Sequence, residues 1–115
     1  MATYDAPFHE VAFRHMEERV KTVYTMVATR EFADMCSGDR LEFGQEASIT
    51  VGMVRRYPDL DALLEGEGWQ NVVPEAGSAE AAASAIRALP DWGTSDEKTL
   101  GVLALRVREA RRKGE

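Results

Sequence analysis

Apolar positions along this chain change period several times, and each change marks a structural boundary. Over Phe8–Val20 the apolar residues Phe8, Val11, Ala12, Met16 and Val20 recur at spacings of three and four or their sums, which predicts a helix. Thr22–Val27 is rich in β-branched and aromatic residues and predicts a strand. Thr29–Cys36 has no clear period, and Ser37-Gly38-Asp39 is a turn by composition. In Arg40–Phe43, Leu41 and Phe43 share one face and Arg40 and Glu42 the other. Ser48–Val54 repeats the alternation through Ile49, Val51 and Met53, with Gly52 as a bulge or tight corner.

The second half reads in the same way. Pro58 or Asp59 opens a short helix carrying Leu60, Leu63 and Leu64. Gly66 and Gly68 end it, leaving Glu65, Glu67 and Trp69 on an exit loop. Ser78 caps an alanine-rich helix over Ala79–Leu89, which Pro90 stops. Pro90–Lys98 is polar and turn-rich. Leu100–Val107 is a strand, with Leu103, Leu105 and Val107 facing one way and Val102, Ala104 and Arg106 the other. The basic end from Arg111 onward is expected to fray. About four short strands with about three helices predict an α+β fold, most simply a small mixed β-barrel with helices on its ends.

A length of 115 residues gives one domain, with a core from about residue 8 to 108. Such a chain buries roughly 65% of its unfolded surface, enough for one core without metal or disulfide support. The lone Cys36 excludes an internal disulfide and fits a reducing compartment. No apolar run approaches a membrane span, and Met1–Pro7 lacks a basic region followed by an apolar one, so a cytoplasmic location is expected.

Charge narrows the partners. The net charge is −6, with nine acidic residues and one basic between Asp59 and Glu97, but five basic and one acidic between Arg106 and Lys113. An acidic protein does not suit tight, non-specific binding to phosphate backbones, so DNA is not an expected partner. A small basic face or a pocket for one nucleotide stays compatible with this balance.

Chemical candidates are few. His9 and His15 lie six apart on one predicted helix, on opposite faces, and a single cysteine completes no zinc set, so no metal or other cofactor is expected. No glycine-rich dinucleotide or phosphate-loop pattern occurs. Lys21 stands at the helix-to-strand junction, where a side chain can point into a cleft while its neighbours stay packed. Its plain alternative is a surface lysine complementing the helix dipole. Glu65 and Glu67 are either solvated carboxylates or acid–base groups. Tyr24, Tyr57, Trp69 and Trp92 serve either the core or a stacking surface.

In order, the chain presents a helix, Lys21-Thr22, a strand, Gly38-Asp39 with the strand after it, Arg56-Tyr57, a Leu-rich helix, Glu67-Gly68-Trp69, Val72-Val73-Pro74, and a terminal Gly101-Val102-Leu103-Ala104-Leu105 strand. This order resembles the ASCH domain family from about Phe13 to Val107. The resemblance implies a PUA-like barrel with a cleft between barrel and helices, and an association with RNA or modified nucleosides. Some small members of that family are amidohydrolases that deacylate acetylated cytidine without a metal, and some relatives have been described as ribonucleases. In the amidohydrolase type a lysine, a threonine three positions later and a later glutamate carry the chemistry. Lys21 matches the lysine, Tyr24 occupies the threonine position, and Glu67 is the best match for the glutamate, with Glu65 as a second register. More typical members read Lys-Thr-x-Glu-x-Arg, where this chain has Tyr24 and Met26.

A phenol at position 24 does not inherit a threonine mechanism, because attack on an amide needs a small alcohol beside a base. Losing arginine at position 26 removes a planar donor fork. The leading expectation is therefore a binding module for RNA or a nucleoside. Lys21, Tyr24, Thr25, Arg55, Arg56, Tyr57 and Trp69 would contact the ligand. The alternatives are a diverged hydrolase of N-acylcytidine type with Lys21 as general base, assisted by Tyr24 and Glu67, and a protein-interaction domain with an inert cleft.

Overall fold

The computed structural model describes residues 1–114. The chain runs β1 (Thr3–Asp5), α1 (Glu10–Glu17), β2 (Val23–Val27), β3 (Arg40–Phe43), β4 (Ala47–Tyr57), α2 (Leu60–Glu67), α3 (Trp69–Val72), α4 (Ala79–Arg87), α5 (Glu97–Leu100) and β5 (Val102–Arg112). The fold is α+β: a five-stranded sheet in the order β1-β3-β4-β5-β2, curled into a half-barrel and flanked by helices. β1 runs parallel to β3, and the other pairs are antiparallel. The three longer helices are those the sequence predicts; α3 and α5 are single turns.

The two long central strands set the curl. Their ladder slips between Thr50 and Val51 and again between Val51 and Val54, and such bulges bend and twist a strand. Gly52 sits at the second slip, where an added Cβ would lie 3.3 Å from the Arg106 carbonyl oxygen, so a close approach of the strands holds the bend. The same slip overturns part of the predicted alternation. Ile49 and Val51 are buried, but Met53 is turned outward and 55% exposed.

Cores form on both sides of the sheet. One packs Phe13 and Met16 of α1 against Leu41, Phe43, Ile49, Val51, Leu103 and Leu105. The other packs Val23, Val27, Val102 and Ala104 against Leu60, Leu63, Leu64, Val72 and Ile86. This explains why Val102–Leu105 is apolar without a break: each face of that segment meets a different core.

Several boundaries differ from the sequence reading for identifiable reasons. α1 is shorter than Phe8–Val20, because His9 has extended backbone and Arg19 turns left-handed (φ 64°). Gly66 lies inside α2 rather than ending it, packed so closely that an added Cβ would sit 2.7 Å from the Tyr57 ring; Gly68 (φ 88°) is the terminator. Glu67 therefore belongs to α2 and Trp69 to α3, not to an exit loop. The short β1 has too few residues to show a period, and it pairs with β3 through register Thr3–Arg40. The basic end does not fray through Arg112. β5 continues to pair Arg112 with Ala47, and the Arg112 guanidinium bridges Glu10 and Glu17 of α1 while lying over the Phe13 ring.

The predicted polar turn before β5 hides a buried charge. Glu97 accepts hydrogen bonds from the Leu60 amide, the Arg87 guanidinium and the Trp92 indole, joining α2, α4 and the final loop. Hydrogen bonding to Arg87 holds its pKa at about 2, below the ordinary 4.5. The depressed carboxylate stabilises the fold fully above pH 4.5 and loses that contribution as pH falls from 4.5 towards 2. Replacing Glu97 by Ala is expected to cost about 3 kcal/mol in urea denaturation at pH 7, because Arg87 and the Leu60 amide lose their partner. The same variant is expected to flatten the fall in stability across that acid range.

Candidate functional site

The half-barrel leaves β1 and β2 as free edges, and residues from both meet in one cleft of about 480 Å³. Asp5, Ala6 and Pro7 leave β1 along one side, and the consecutive residues Tyr24–Val27 of β2 form the other. Ala12 and His15 of α1, Val72, Val73 and Glu75, Ile86 of α4, and Trp92 complete walls that are mostly apolar.

Lys21 enters this cleft because of how α1 ends. The left-handed Arg19 reverses the chain, and the Val20 and Lys21 amides both donate to the His15 carbonyl. Thr22 N–H donates to Asn71 O, which brings the segment after α3 beside the lysine. The Lys21 side chain is buried; Nζ donates to the Val23 carbonyl at 2.9 Å and the Val72 carbonyl at 2.5 Å, and lies 5.7 Å from the Tyr24 ring centroid. Burial lowers its pKa to about 8, against the opposing field of Glu75. A neutral amine has two N–H donors and a lone pair, so two carbonyls satisfy its donors and leave the lone pair free. Tyr24 is also buried, and burial pushes its phenol well above the ordinary value, so it keeps its proton through neutral pH.

Two histidine–carboxylate pairs flank the lysine. His15 Nδ1 lies 3.4 Å from Glu75 Oε1, and His9 Nε2 lies 3.4 Å from Asp91 Oδ1. Neither contact has hydrogen-bond geometry, and both nitrogens are shut from solvent without a partner among the described residues. Here the structure corrects the sequence reading. The two histidines share one cleft instead of opposite faces, because His9 precedes the helical backbone and the 3.6-residue period does not reach it. No group of three or more His, Cys, Asp or Glu side chains is arranged to hold a metal among the described residues.

The residues singled out from sequence divide into two groups. Lys21, Tyr24 and Thr25 line the cleft; Arg55, Arg56, Tyr57, Glu67 and Trp69 do not. Glu67 accepts from the Tyr57 hydroxyl at 2.5 Å and lies 3.8 Å from Arg55 Nη1, while Arg56 donates to the Leu100 carbonyl. The Glu67 contacts tie α2 to the end of β4, and the Arg56 bond ties β4 to α5. Glu65 is exposed on α2 and is equally absent from the lining. The expected pairing of Lys21 with Glu67 is therefore not formed, and Glu75 is the carboxylate whose field reaches the lysine. The signal was the segment Val72-Val73-Pro74, which leads directly into Glu75.

No protein-family model matches this sequence, and no curated protein sequence matches it significantly. Solved structures do. The crystal structure of the hypothetical protein PH0355 is similar at a TM-score of 0.81 and 23% identity, over 93% of this chain and 97% of that one. The solution NMR structure of protein PF0455 from Pyrococcus furiosus is similar at a TM-score of 0.72 and 25% identity, over 93% of this chain and 96% of that one. These likenesses show the fold across nearly the whole length of each partner.

An NMR titration of the Lys21 side chain is expected to give a midpoint near pH 8, and Glu75→Gln to lower it, since the lost negative charge had favoured the ammonium. Because the unfolded chain keeps this proton to about 10.5, Lys21 makes stability rise with pH from about 8 towards 10.5. A midpoint near 10.5 would place the lysine in water.

Proposed function

We propose that this chain is an ASCH-like domain of PUA-like fold that holds a nucleoside, free or at an unpaired RNA position, in the cleft beside Lys21. The observation that carries the reading is the buried Lys21 amine at the wall of a mostly apolar cleft of about 480 Å³, within the ~300–1,000 Å³ that small-ligand sites occupy. Tyr24 and Trp92 offer aromatic surface in the same lining, and Thr25 a hydroxyl. Asp5, Glu31, Glu75 and Asp91 also border the cleft, an acidic set that favours an uncharged base and sugar over a phosphate chain. Arg55 and Arg56 lie outside the cleft and have no part in this reading.

A second reading is favoured by one feature. An amine with a pKa of about 8 and both neutral-form donors already bonded is suited to take a proton from an attacking water. Such a site would cleave an N-acyl group from a cytidine-type nucleoside, with Glu75 in the carboxylate role first given to Glu67. Water replaces the side-chain hydroxyl as nucleophile, because Tyr24 remains a protonated phenol.

Nucleoside titration followed by tryptophan fluorescence tests the first reading. A saturable change is expected that persists in Trp69→Phe and disappears in Trp92→Phe, with Lys21→Ala weakening affinity about tenfold. No response to any nucleoside would overturn it. Incubation with N-acetylcytidine tests the second: release of cytidine at a rate that climbs through pH 8 and vanishes in Lys21→Ala would establish catalysis.

A further inference from the structure

β2 is hydrogen-bonded to β5 along one side only. Its register pairs Val23 with Arg106 through Val27 with Val102. At the two ends of that register, Val107 N–H donates to Thr22 O and Ala28 N–H to Gly101 O, each between directly opposed residues. In an antiparallel ladder such pairs alternate, so Tyr24 and Met26 exchange bonds with β5, whereas Val23, Thr25 and Val27 turn their N–H and C=O groups outward. Two of these outward groups are capped. The Val23 carbonyl accepts from Lys21 Nζ, and the Val27 carbonyl accepts from the Thr29 amide. The other four, the N–H groups of Val23, Thr25 and Val27 and the Thr25 C=O, have no partner among the described residues; Thr25 and Val27 line the cleft, and Val23 does not.

In the cleft itself this leaves a donor, an acceptor and a donor in a row along the backbone. We propose that the row is the recognition element of the cleft, selecting a planar heterocycle whose edge reads acceptor, N–H donor, acceptor. That edge belongs to a cyclic imide, as in the uracil ring. Its ring N–H would donate to the Thr25 carbonyl, and its two carbonyls would accept from the Thr25 and Val27 amides. The inference rests on the nucleoside reading above and names the base that the site takes.

Three observations favour a single ring over other partners. Only Thr25 keeps both its N–H and its C=O open, because Lys21 and the Thr29 amide cap the carbonyls of Val23 and Val27 on either side, so an added peptide strand would find no continuous ladder. The surrounding walls of Tyr24, Ile86 and Trp92 are apolar and offer ring-sized contact. The bordering carboxylates favour an uncharged ligand. A cytosine edge reads donor, acceptor, acceptor and satisfies at most two of the three backbone groups. A buried polar group left unpaired costs about 1–3 kcal/mol, enough to discriminate between the two bases.

Titrating the ¹⁵N-labelled protein with uridine tests this directly. The Thr25 and Val27 amide signals are expected to shift, while those of Tyr24 and Met26, bonded to β5, stay near their free positions. Uridine is expected to bind about tenfold more tightly than either cytidine or 3-methyluridine, whose ring N–H is blocked. Thr25→Pro removes the outward N–H without breaking a ladder bond and is expected to weaken uridine about tenfold. If that variant does not fold, the wild-type titration with the three nucleosides decides alone. Shifts at Lys21, His15 and Trp92 with silent Thr25 and Val27 amides, or equal affinity for the three nucleosides, would overturn the imide proposal and leave the nucleoside cleft standing. No perturbation of the cleft by any nucleoside would overturn both.

Discussion

The molecule depends on a sheet that stops one strand pair short of closing. β4 and β5 are long enough, and bent enough by their bulges, to bring β1 and β2 towards each other, yet the strand order leaves both as edges. A closed barrel would have filled the space between them with side chains. Instead the gap is covered from outside by α1 on one flank and by α4 with the Val72–Glu75 segment on the other. The cleft is the space that those elements cannot fill. Its polar character comes from what an open edge necessarily exposes: backbone groups, and a lysine that caps one of them.

Lys21 shows how this constraint turns into chemistry. Its amine joins two pieces of backbone that no ladder connects, the Val23 carbonyl on the free edge and the Val72 carbonyl at the end of α3. Carrying a cation into that position costs solvation, and the lowered pKa is that cost expressed in the proton equilibrium. Structural stapling and reactivity are therefore one property of this side chain. Another buried ion, Glu97, contrasts with it. Glu97 sits among three donors including a guanidinium, so its charge is held rather than loosened. A buried charge with a strong counter-ion fixes a fold, whereas one facing only carbonyls and a distant carboxylate is available to a ligand.

Much of the fold was legible because burial follows local period. β2, β3, the N-caps of α2 and α4 and the leucine face of α2 all follow from composition, spacing and capping residues. What spacing hides is anything decided by contact across the chain. Arg112 is held by Glu10 and Glu17, almost the full length of the sequence away, so composition alone reads its segment as a loose end. Met53 obeys the alternation of its strand until a bulge, visible only in the partner's register, turns it out.

The site follows the same rule. Lys21 and Tyr24 stand out from local features: a junction and a motif position. Their carboxylate partner does not, because Glu65, Glu67 and Glu75 are equivalent as letters, the first two on α2 and the third just beyond α3. What separates them is that Thr22 hydrogen-bonds to Asn71, which pulls the chain after α3, and not α2, against the lysine. His9 and His15 were lost for a related reason: their six-residue spacing implies opposite faces only if the helix includes both, and the helix begins after His9. The outward groups of β2 carry no side-chain signal at all. A free edge is a property of strand order, and strand order is fixed by which strands the two cores leave room for. The part of this site best suited to select a ligand is thus written in the topology, and the part best suited to react with one is written in the sequence.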